Sequence, residues 1–329
     1  MSLTPPDDDY VSGPFGLSNY GNNCYANAII QALVSCPTVV KTVLENNDYM
    51  KKTPVGQALY DFMHAAYHRN AAAEPRPSAP YTSVDGAATA LKQTLAKHIP
   101  KFDNNSQQCA GEMFEALLNA TDVDTSLVRN GAQKTNPLTF LFYHRIATTN
   151  YCSTCKTKTT VTGSVHETIR RMFYYDRLKN KPKTPKEFCE ILRCEYSRLE
   201  GYRCDKCDEK TRDGLRVDIM EMIPEILVCM FNGYDDQRTN LTNKAQRYYP
   251  AELYFAGKNN TLLVYRLYSQ VEHSGGNKGG HYTASAIRAF DGVEKVYWLN
   301  DSTATQIVKF VRAPNVFMLF YVYYKTVYP

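Results

Sequence analysis

Four cysteines limit what this chain can fold into more than any other feature. Cys152-Ser-Thr-Cys155 and Cys204-Asp-Lys-Cys207 are two Cys-x-x-Cys knuckles separated by 48 residues. Each knuckle sets two sulfurs close together on a tight turn, and four thiolates in that pattern make a tetrahedral zinc site. Nothing in the spacing suggests a fifth group or an open position, so the zinc is expected to be structural. Its binding free energy would then be folding free energy for the segment 150–210.

That reading needs a reducing compartment. The first residues, MSLTPPDDDY, are acidic and proline-bearing and lack the basic start and apolar stretch of a signal peptide. The longest apolar run, Val316 to Tyr324, is too short to span a bilayer and is rich in strand formers. The expectation is a monomeric cytosolic or nuclear protein with no membrane partner. Its ten cysteines should be ligands, a nucleophile or packing groups rather than disulfides. Cys36, Cys109, Cys189, Cys194 and Cys229 read as packing residues. The net charge of +5 is mild for 329 residues. The basic run at Arg170, Arg171, Arg177, Lys179, Lys181, Lys183 and Lys186 lacks the density and stacking aromatics of a nucleic-acid site, so it reads as a solvated face.

The periodicities divide the chain. Residues 1–13 read as a flexible lead-in and the proline- and alanine-rich stretch 71–80 as a connector. Helical spacing of apolar residues predicts helices over Cys24–Cys36, ended by Pro37, over Val55–Tyr67, from Val84 through Leu95, and over Gln108–Ala120. After about residue 138 short runs rich in Val, Ile, Thr, Tyr and Phe predict strands at Lys158–Val165, Leu215–Met222, Ile226–Phe231, Leu262–Tyr268, His281–Ile287 and Phe317–Tyr324, with another ending at Leu299. Ile226–Phe231 is apolar throughout and reads as a central strand buried on both faces. Helices first and strands later imply an α+β fold, a helical lobe against a sheet lobe, with a cleft between them suited to an active site.

Two residues stand out as a possible reacting pair. Cys24 follows Gly21-Asn22-Asn23 and opens a helix, where the N-terminal dipole lowers a thiol's pKa. His281 follows a glycine-rich loop, Ser274 to Gly280, and Asn300-Asp301 follow the strand ending Tyr297-Trp298-Leu299. A Cys with a distant His and Asn or Asp is a papain-like arrangement. A cysteine at a helix start can equally be only a packing group, and on this argument alone both readings stand.

The local sequences add a resemblance. GLSNYGNNCYANAIIQAL (16–33) resembles the cysteine box of the ubiquitin-specific proteases, and GGHYTASA (279–286) with LNDS (299–302) resembles their histidine box. QQCAGEMFEALL (107–118) looks like their Gln-Gln-Asp-Ala-x-Glu helix, while IPEILVCMF (223–231) and VFMLFYVYY (316–324) resemble later core strands. The matches run in family order from about residue 14 to 324.

The resemblance implies a papain-like catalytic domain over 14–329. It would have a helical thumb at about 14–137, zinc-bearing β fingers at about 138–225 and a β-sheet palm mainly at about 226–329. It also implies a thiol-dependent deubiquitinase that cuts the isopeptide bond after the C-terminal Gly-Gly of ubiquitin. Cys24 would be the nucleophile, His281 the base, Asn300 its orienting partner with Asp301 assisting, and Asn19 an oxyanion donor. Gln108, Cys109, Glu112, Gly279, Gly280 and Tyr282 would contact the substrate, the glycines as part of a mobile loop. Zinc would sit on Cys152, Cys155, Cys204 and Cys207. The chain departs from the pattern at Asn23 and Ala26, usually Thr and Met, and at Cys109, where the family has an Asp that helps hold the basic tail. The Cys109 change leaves open a different ubiquitin-like modifier, of the SUMO type for example. A catalytically inactive ubiquitin-binding scaffold is the remaining alternative.

Overall fold

The structure is a computed structural model and describes residues 10, 12–68, 83–104, 106–123, 136–160, 165–172, 178, 180–207, 213–231, 247–276, 279–290 and 293–328. The connector expected at 71–80 and most of the lead-in at 1–13 lie outside them, as do Arg177 and Lys179.

Helices dominate the first part: α1 (Cys24–Val34), α2 (Pro37–Glu45), α3 (Asn47–Met50), α4 (Pro54–His68), α5 (Val84–His98), α6 (Ala110–Ala120) and α7 (Pro137–Phe140). The four helices read from periodicity are α1, α4, α5 and α6. Pro37 ends the first, as expected, but it also starts α2, because a proline's fixed φ and missing N–H suit a first helical turn. Gln108 and Cys109 stand before α6, with Cys109 as its N-cap residue.

The strands form two sheets. The first contains β1 (His144–Cys152), β2 (Lys158–Thr160), β3 (Val165–Glu167), β5 (Cys194–Glu200) and β6 (Asp213–Met222), in the order β2-β1-β6-β5 with β3 also on β1. The second contains β4 (Arg170–Met172), β7 (Ile226–Phe231), β8 (Glu252–Ala256), β9 (Leu262–Gly276), β10 (Gly279–Phe290), β11 (Val293–Asn300), β12 (Thr303–Ile307) and β13 (Val316–Val327). Its order is β12-β11-β10-β9-β13-β7-β4, with β8 on β9. One helix, α8 (Pro185–Arg193), lies among the strands, where sequence periodicity gave none. Its signal was a capping box: Thr184 Oγ1 accepts from the Glu187 N–H, the Glu187 carboxylate returns to Thr184 N–H, and Pro185 takes the first turn.

β7 and most of β13 are buried on both faces of the second sheet, which is why they read as unbroken apolar runs. Along β13, Met318, Phe320 and Val322 join the core under the helices, while Leu319, Tyr321 and Tyr323 join a second core with Phe188 and Leu192 of α8. β7 splits in the same way, Ile226 and Val228 against Leu227, Cys229 and Phe231. It lies between β13 and the short edge strand β4, so the burial on both faces holds but the strand stands next to the sheet's edge rather than at its centre.

Every residue of α1 is buried, as expected for a helix apolar nearly all round that sits inside a fold. It packs on β10 and β9, and Arg288 of β10 fastens its C-terminal end. The guanidinium donates from Nη2 to the Gln31 carbonyl at 3.0 Å and to Gln31 Oε1 at 2.5 Å, and from Nη1 to Ser35 Oγ. It also lies over the Phe15 ring, 5.5 Å from the centroid. Carbonyls at a helix C-terminus carry negative partial charge, so a cation there gains from the dipole although no carboxylate bonds it. Burial still pushes Arg288 down to about 9.

Arg288→Ala would strip these acceptors of their donor and leave a cavity. The expected loss is about 3 kcal/mol, read as a lower urea midpoint at unchanged m-value. A loss below about 1 kcal/mol would mean that α1 is held by its apolar packing alone.

Candidate active site and four-cysteine cluster

α1 and β10 bring Cys24 and His281 to one place. Cys24 is the first residue of α1, and His281 pairs with Ser274 near the start of β10. The Cys24 sulfur accepts the backbone N–H of Tyr282, the residue after the histidine. His281 Nε2 lies 2.6 Å from Asn300 Oδ1. A carboxamide oxygen only accepts, so Nε2 donates to it, and in the neutral ring Nδ1 is then the nitrogen with the lone pair. His281 is 43% exposed on its side chain, leaving an edge open for a reactant.

Asn300 ends β11 and pairs with Thr303 of β12, so Asp301 and Ser302 form the hairpin turn between them. Asp301 has a left-handed backbone, φ 46°, a conformation that Asp tolerates better than most residues. The segment before Cys24 packs onto this turn. Leu17 N–H donates to the Asp301 carbonyl at 2.7 Å, and a Cβ on Gly16 would fall 2.1 Å from the Ser302 oxygen. Gly16 is therefore needed for close approach.

The Asp301 carboxylate faces inward. Its Oδ2 accepts from Asn19 Nδ2 at 2.9 Å and lies 4.0 Å from His281 Nε2, and its Oδ1 accepts from Asn27 Nδ2 at 2.7 Å. Asn19 Oδ1 in turn accepts the Asn23 N–H at 2.8 Å. An amide nitrogen has two N–H bonds, so Asn19 keeps one donor beyond its bond to Asp301.

One expectation is reversed. The helix N-terminus was expected to lower the Cys24 pKa. The backbone N–H groups of Tyr282, Tyr25 and Cys24 do pull it down, but burial outweighs them, with the Asp301 carboxylate adding to the rise. Cys24 is only 2% exposed, and desolvation penalises the thiolate.

The glycine run also differs from the expected loop. Its described residues continue the strands, with Gly276 opposite Gly279 and Gly275 opposite Gly280. A Cβ at Gly280 would meet His273 Nε2 at 2.3 Å, so only glycine fits the backbone there. Below it, the Tyr282 ring packs at a tilt against His273, 4.3 Å between centroids, and edge-on against Phe317 at 5.7 Å. Tyr282 thus presents its N–H to the sulfur, while its ring is core.

The other residues expected to touch substrate are divided. Gln108 Nε2 donates to the Lys101 carbonyl at 3.0 Å, and Glu112 pairs with the Lys101 ammonium. Cys109 is largely buried, which raises its pKa. Sequence reading passed over three residues that the structure places here. Gln107 forms both backbone hydrogen bonds of Gly280 through its side-chain amide. Asn27 and Lys92 lie behind Asp301, with Lys92 Nζ 3.0 Å from Asn27 Oδ1. The first two belong to quoted motifs, but nothing in the sequence marked Lys92. A cleft of about 440 Å³ opens beside this group, lined by Tyr20, Asn23, Gln93, Phe102 and Asn104 among others. The larger cavity, about 630 Å³ between α8 and strands β4 and β5, contains neither Cys24 nor His281.

The two knuckles meet at one end of the first sheet. Sγ atoms of Cys152, Cys155, Cys204 and Cys207 all lie within 4.8 Å of one another. Cys152 and Cys207 are 3.9 Å apart and Cys155 and Cys204 3.6 Å apart. A tetrahedron with metal–sulfur bonds of about 2.3 Å has edges of about 3.8 Å, so the four thiols fit a tetrahedral thiolate-binding metal. Backbone N–H groups of Cys155 and Thr154 lower the Cys152 pKa, favouring the thiolate that a metal requires.

Comparison with known proteins agrees with this picture. A model of the ubiquitin carboxyl-terminal hydrolase family matches residues 15–321. Human ubiquitin carboxyl-terminal hydrolase 21 is 22% identical over 83% of this chain and 55% of its own length. The human hydrolase 2 is 24% identical over 94% of this chain and 55% of its own. The Saccharomyces cerevisiae hydrolase 5 is 23% identical over 93% and 44%. The chain thus spans about half the length of the curated relatives it matches. Among solved structures, a chain of the SAGA Ubp8/Sgf11/Sus1/Sgf73 DUB module bound to ubiquitin aldehyde superposes with a TM-score of 0.73 at 18% identity, covering 98% of this chain and 72% of that one. The same module bound to monoubiquitin gives 0.72 at 18%, covering 99% and 72%. Papain-like geometry, the four-cysteine cluster and the family match all converge, and the chain belongs to the ubiquitin carboxyl-terminal hydrolase family, in its ubiquitin-specific protease branch.

Proposed function

We propose that the chain is a deubiquitinase that hydrolyses the isopeptide bond after the C-terminal Gly-Gly of ubiquitin. The observation that carries this is the ordered pair itself: His281 with its Nε2 on Asn300, beside a Cys24 sulfur that rests on the Tyr282 N–H. As the Cys24 sulfur attacks the glycine carbonyl, its proton passes to His281 Nδ1. The charge developing on the carbonyl oxygen is met by the remaining Asn19 N–H and backbone N–H groups at the start of α1. His281 then returns the proton to the leaving lysine amine as the C–N bond breaks, leaving a thioester on Cys24. Water, deprotonated by His281, attacks the thioester and frees the glycine carboxylate and the thiol.

A protein-sized substrate suits the first sheet. Leu215, Tyr196 and Ile219 are 40%, 63% and 41% exposed. Register places them on one face, with Tyr196 opposite Val217, Arg198 opposite Leu215 and Cys194 opposite Ile219. An exposed apolar strip of this kind suits a protein surface. Solved relatives of the same fold are bound to ubiquitin, which supports ubiquitin as the occupant. One observation favours a second modifier. The acid that would meet a basic tail is replaced by the half-buried Cys109, and Glu112 is already paired with Lys101. A less basic tail would lose nothing here.

The four cysteines would hold zinc, tying the ends of β1 and β6 together. The free cysteines elsewhere suit the reducing cytosol or nucleus.

Ubiquitin carrying a thiol-reactive C-terminal group is expected to form an adduct that Cys24→Ala abolishes. Asn300→Ala should lower kcat roughly 10²-fold with little change in KM. An adduct only with a SUMO-type probe keeps the chemistry and changes the substrate, whereas a folded wild type that hydrolyses nothing favours a binding scaffold. Zinc released by Cys204→Ser or a strong chelator should amount to one ion per chain, seen with a colorimetric dye. The melting temperature should fall with it, because the metal's binding energy is lost. Zinc-free protein with unchanged melting would reject a structural role for the cluster.

A further inference from the structure

Behind the proposed active site, one cation is buried with a single amide between it and the catalytic turn. Lys92 of α5 is 9% exposed and Asn27 of α1 is 2% exposed. Lys92 Nζ donates to Asn27 Oδ1 at 3.0 Å and to the Ser18 carbonyl at 3.2 Å. The other end of the Asn27 amide donates from Nδ2 to Asp301 Oδ1 at 2.7 Å. Asp301 Oδ2 then accepts from Asn19 at 2.9 Å and faces His281 Nε2 at 4.0 Å.

The chemistry of the two ends makes this relay directional. An ammonium can only donate and a carboxylate can only accept. Turned over, the buried Asn27 amide would set its N–H against the ammonium and its oxygen against the carboxylate, two repulsive contacts. Asn27 Nδ2 also donates to the Leu17 and Ser18 carbonyls at 3.4 and 3.3 Å, so Lys92, at the oxygen end, shares with these acceptors the fixing of the amide orientation that serves Asp301. The cation is balanced from its other side by Asp85, whose carboxylate is itself held by the Ser18 N–H at 2.7 Å and Oγ at 2.6 Å. Burial lowers the Lys92 pKa, and the Asp85 and Asp301 charges oppose that.

We propose that Lys92 is a positioning residue for hydrolysis, acting through Asn27 to aim the Asp301 carboxylate at Asn19 and His281. It touches neither substrate nor the reacting atoms. Its contribution is to keep the oxyanion donor and the imidazole in register, so its removal slows turnover without weakening substrate capture. This role rests on the cysteine-hydrolase reading above.

A fluorogenic C-terminal amide of ubiquitin separates the two. Wild type that turns it over, with Cys24→Ala inactive, establishes the hydrolase reading, and the Lys92 question is then asked of that active enzyme. Rates are referred to the concentration of chain that ubiquitin carrying a thiol-reactive C-terminal group labels at completion, so a partly unfolded variant is still readable. Lys92→Met, which keeps the stem and drops the charge, is expected to lower kcat about ten-fold with KM within about two-fold. Lys92→Arg, also a donor-only cation, should retain at least a third of wild-type kcat. Lys92→Met added to Asp301→Asn should slow that variant by no more than about two-fold, because both act through one relay. Wild-type kcat in Lys92→Met, a rise in KM alone, multiplicative effects in the double variant, or a Lys92→Arg as slow as Lys92→Met would each overturn the proposal.

Discussion

The structure depends on how α1 lies across β10. The candidate nucleophile and base are 257 positions apart in sequence, and neither helix nor strand would bring them together alone. α1 offers an apolar surface on every side, so it is driven into the groove between the sheet and the other helices, where all of its residues are buried. Depth alone would still allow it to slide or rotate. Arg288 removes that freedom at the C-terminal end, through Gln31 and Ser35, while the Tyr282 N–H meets the Cys24 sulfur at the other. Both anchors come from β10, the strand that also carries His281. The helix is thus registered against the strand holding its catalytic partner, and strand pairing to β9 transmits that register to the rest of the sheet.

The second constraint is a turn that something must hold in place. The left-handed backbone at Asp301 costs of the order of 1 kcal/mol, and such strain persists only where surroundings over-determine it. Here they do. Gly16 lets the segment before Cys24 approach Ser302 closely, Leu17 bonds the Asp301 carbonyl, and Asn19 and Asn27 bond its carboxylate. The Gly-Leu-x-Asn sequence is therefore one device: glycine for approach, backbone amide for the turn, carboxamide for the carboxylate. Its purpose is to place Asn300 beneath His281.

How much of this was legible follows from what kind of interaction each part uses. Local signals were read well. The periodic helices α1, α4, α5 and α6, the apolar strand β7 and the paired knuckles each carry their own pattern. α8 was missed because its evidence lay in a capping box rather than in a long apolar stripe, and α2 because a proline was read only as an ending. The glycine run was read as a loop from composition, but close pairing of Gly275 with Gly280 is a use of glycine that composition cannot distinguish from looseness. Lys92 left no trace at all. A lysine beside an apolar stripe looks solvated until the Asp85, Asn27 and Asp301 groups that surround it are assembled from three separate parts of the chain.

The largest departure from the sequence reading is also the most informative about mechanism. Cys24 opens a helix, and on that ground its pKa was expected to be lowered. Burial outweighs the N–H groups that favour the anion, and the nearby Asp301 charge adds to the rise, so the surroundings favour the thiol over the thiolate. In the proposed mechanism His281 then takes the proton at the moment of attack, which is why its orientation matters. Asn300 fixes the tautomer by accepting from Nε2, and Asp301 supports both histidine and Asn19 without bonding the sulfur. A carboxylate that discourages the thiolate in the resting state also stabilises an imidazolium once the proton has moved. In the proposed mechanism the same charge therefore acts against the anion on Cys24 and for the cation on His281, and the balance would tip toward reaction only when a carbonyl is present to take up the sulfur's electrons.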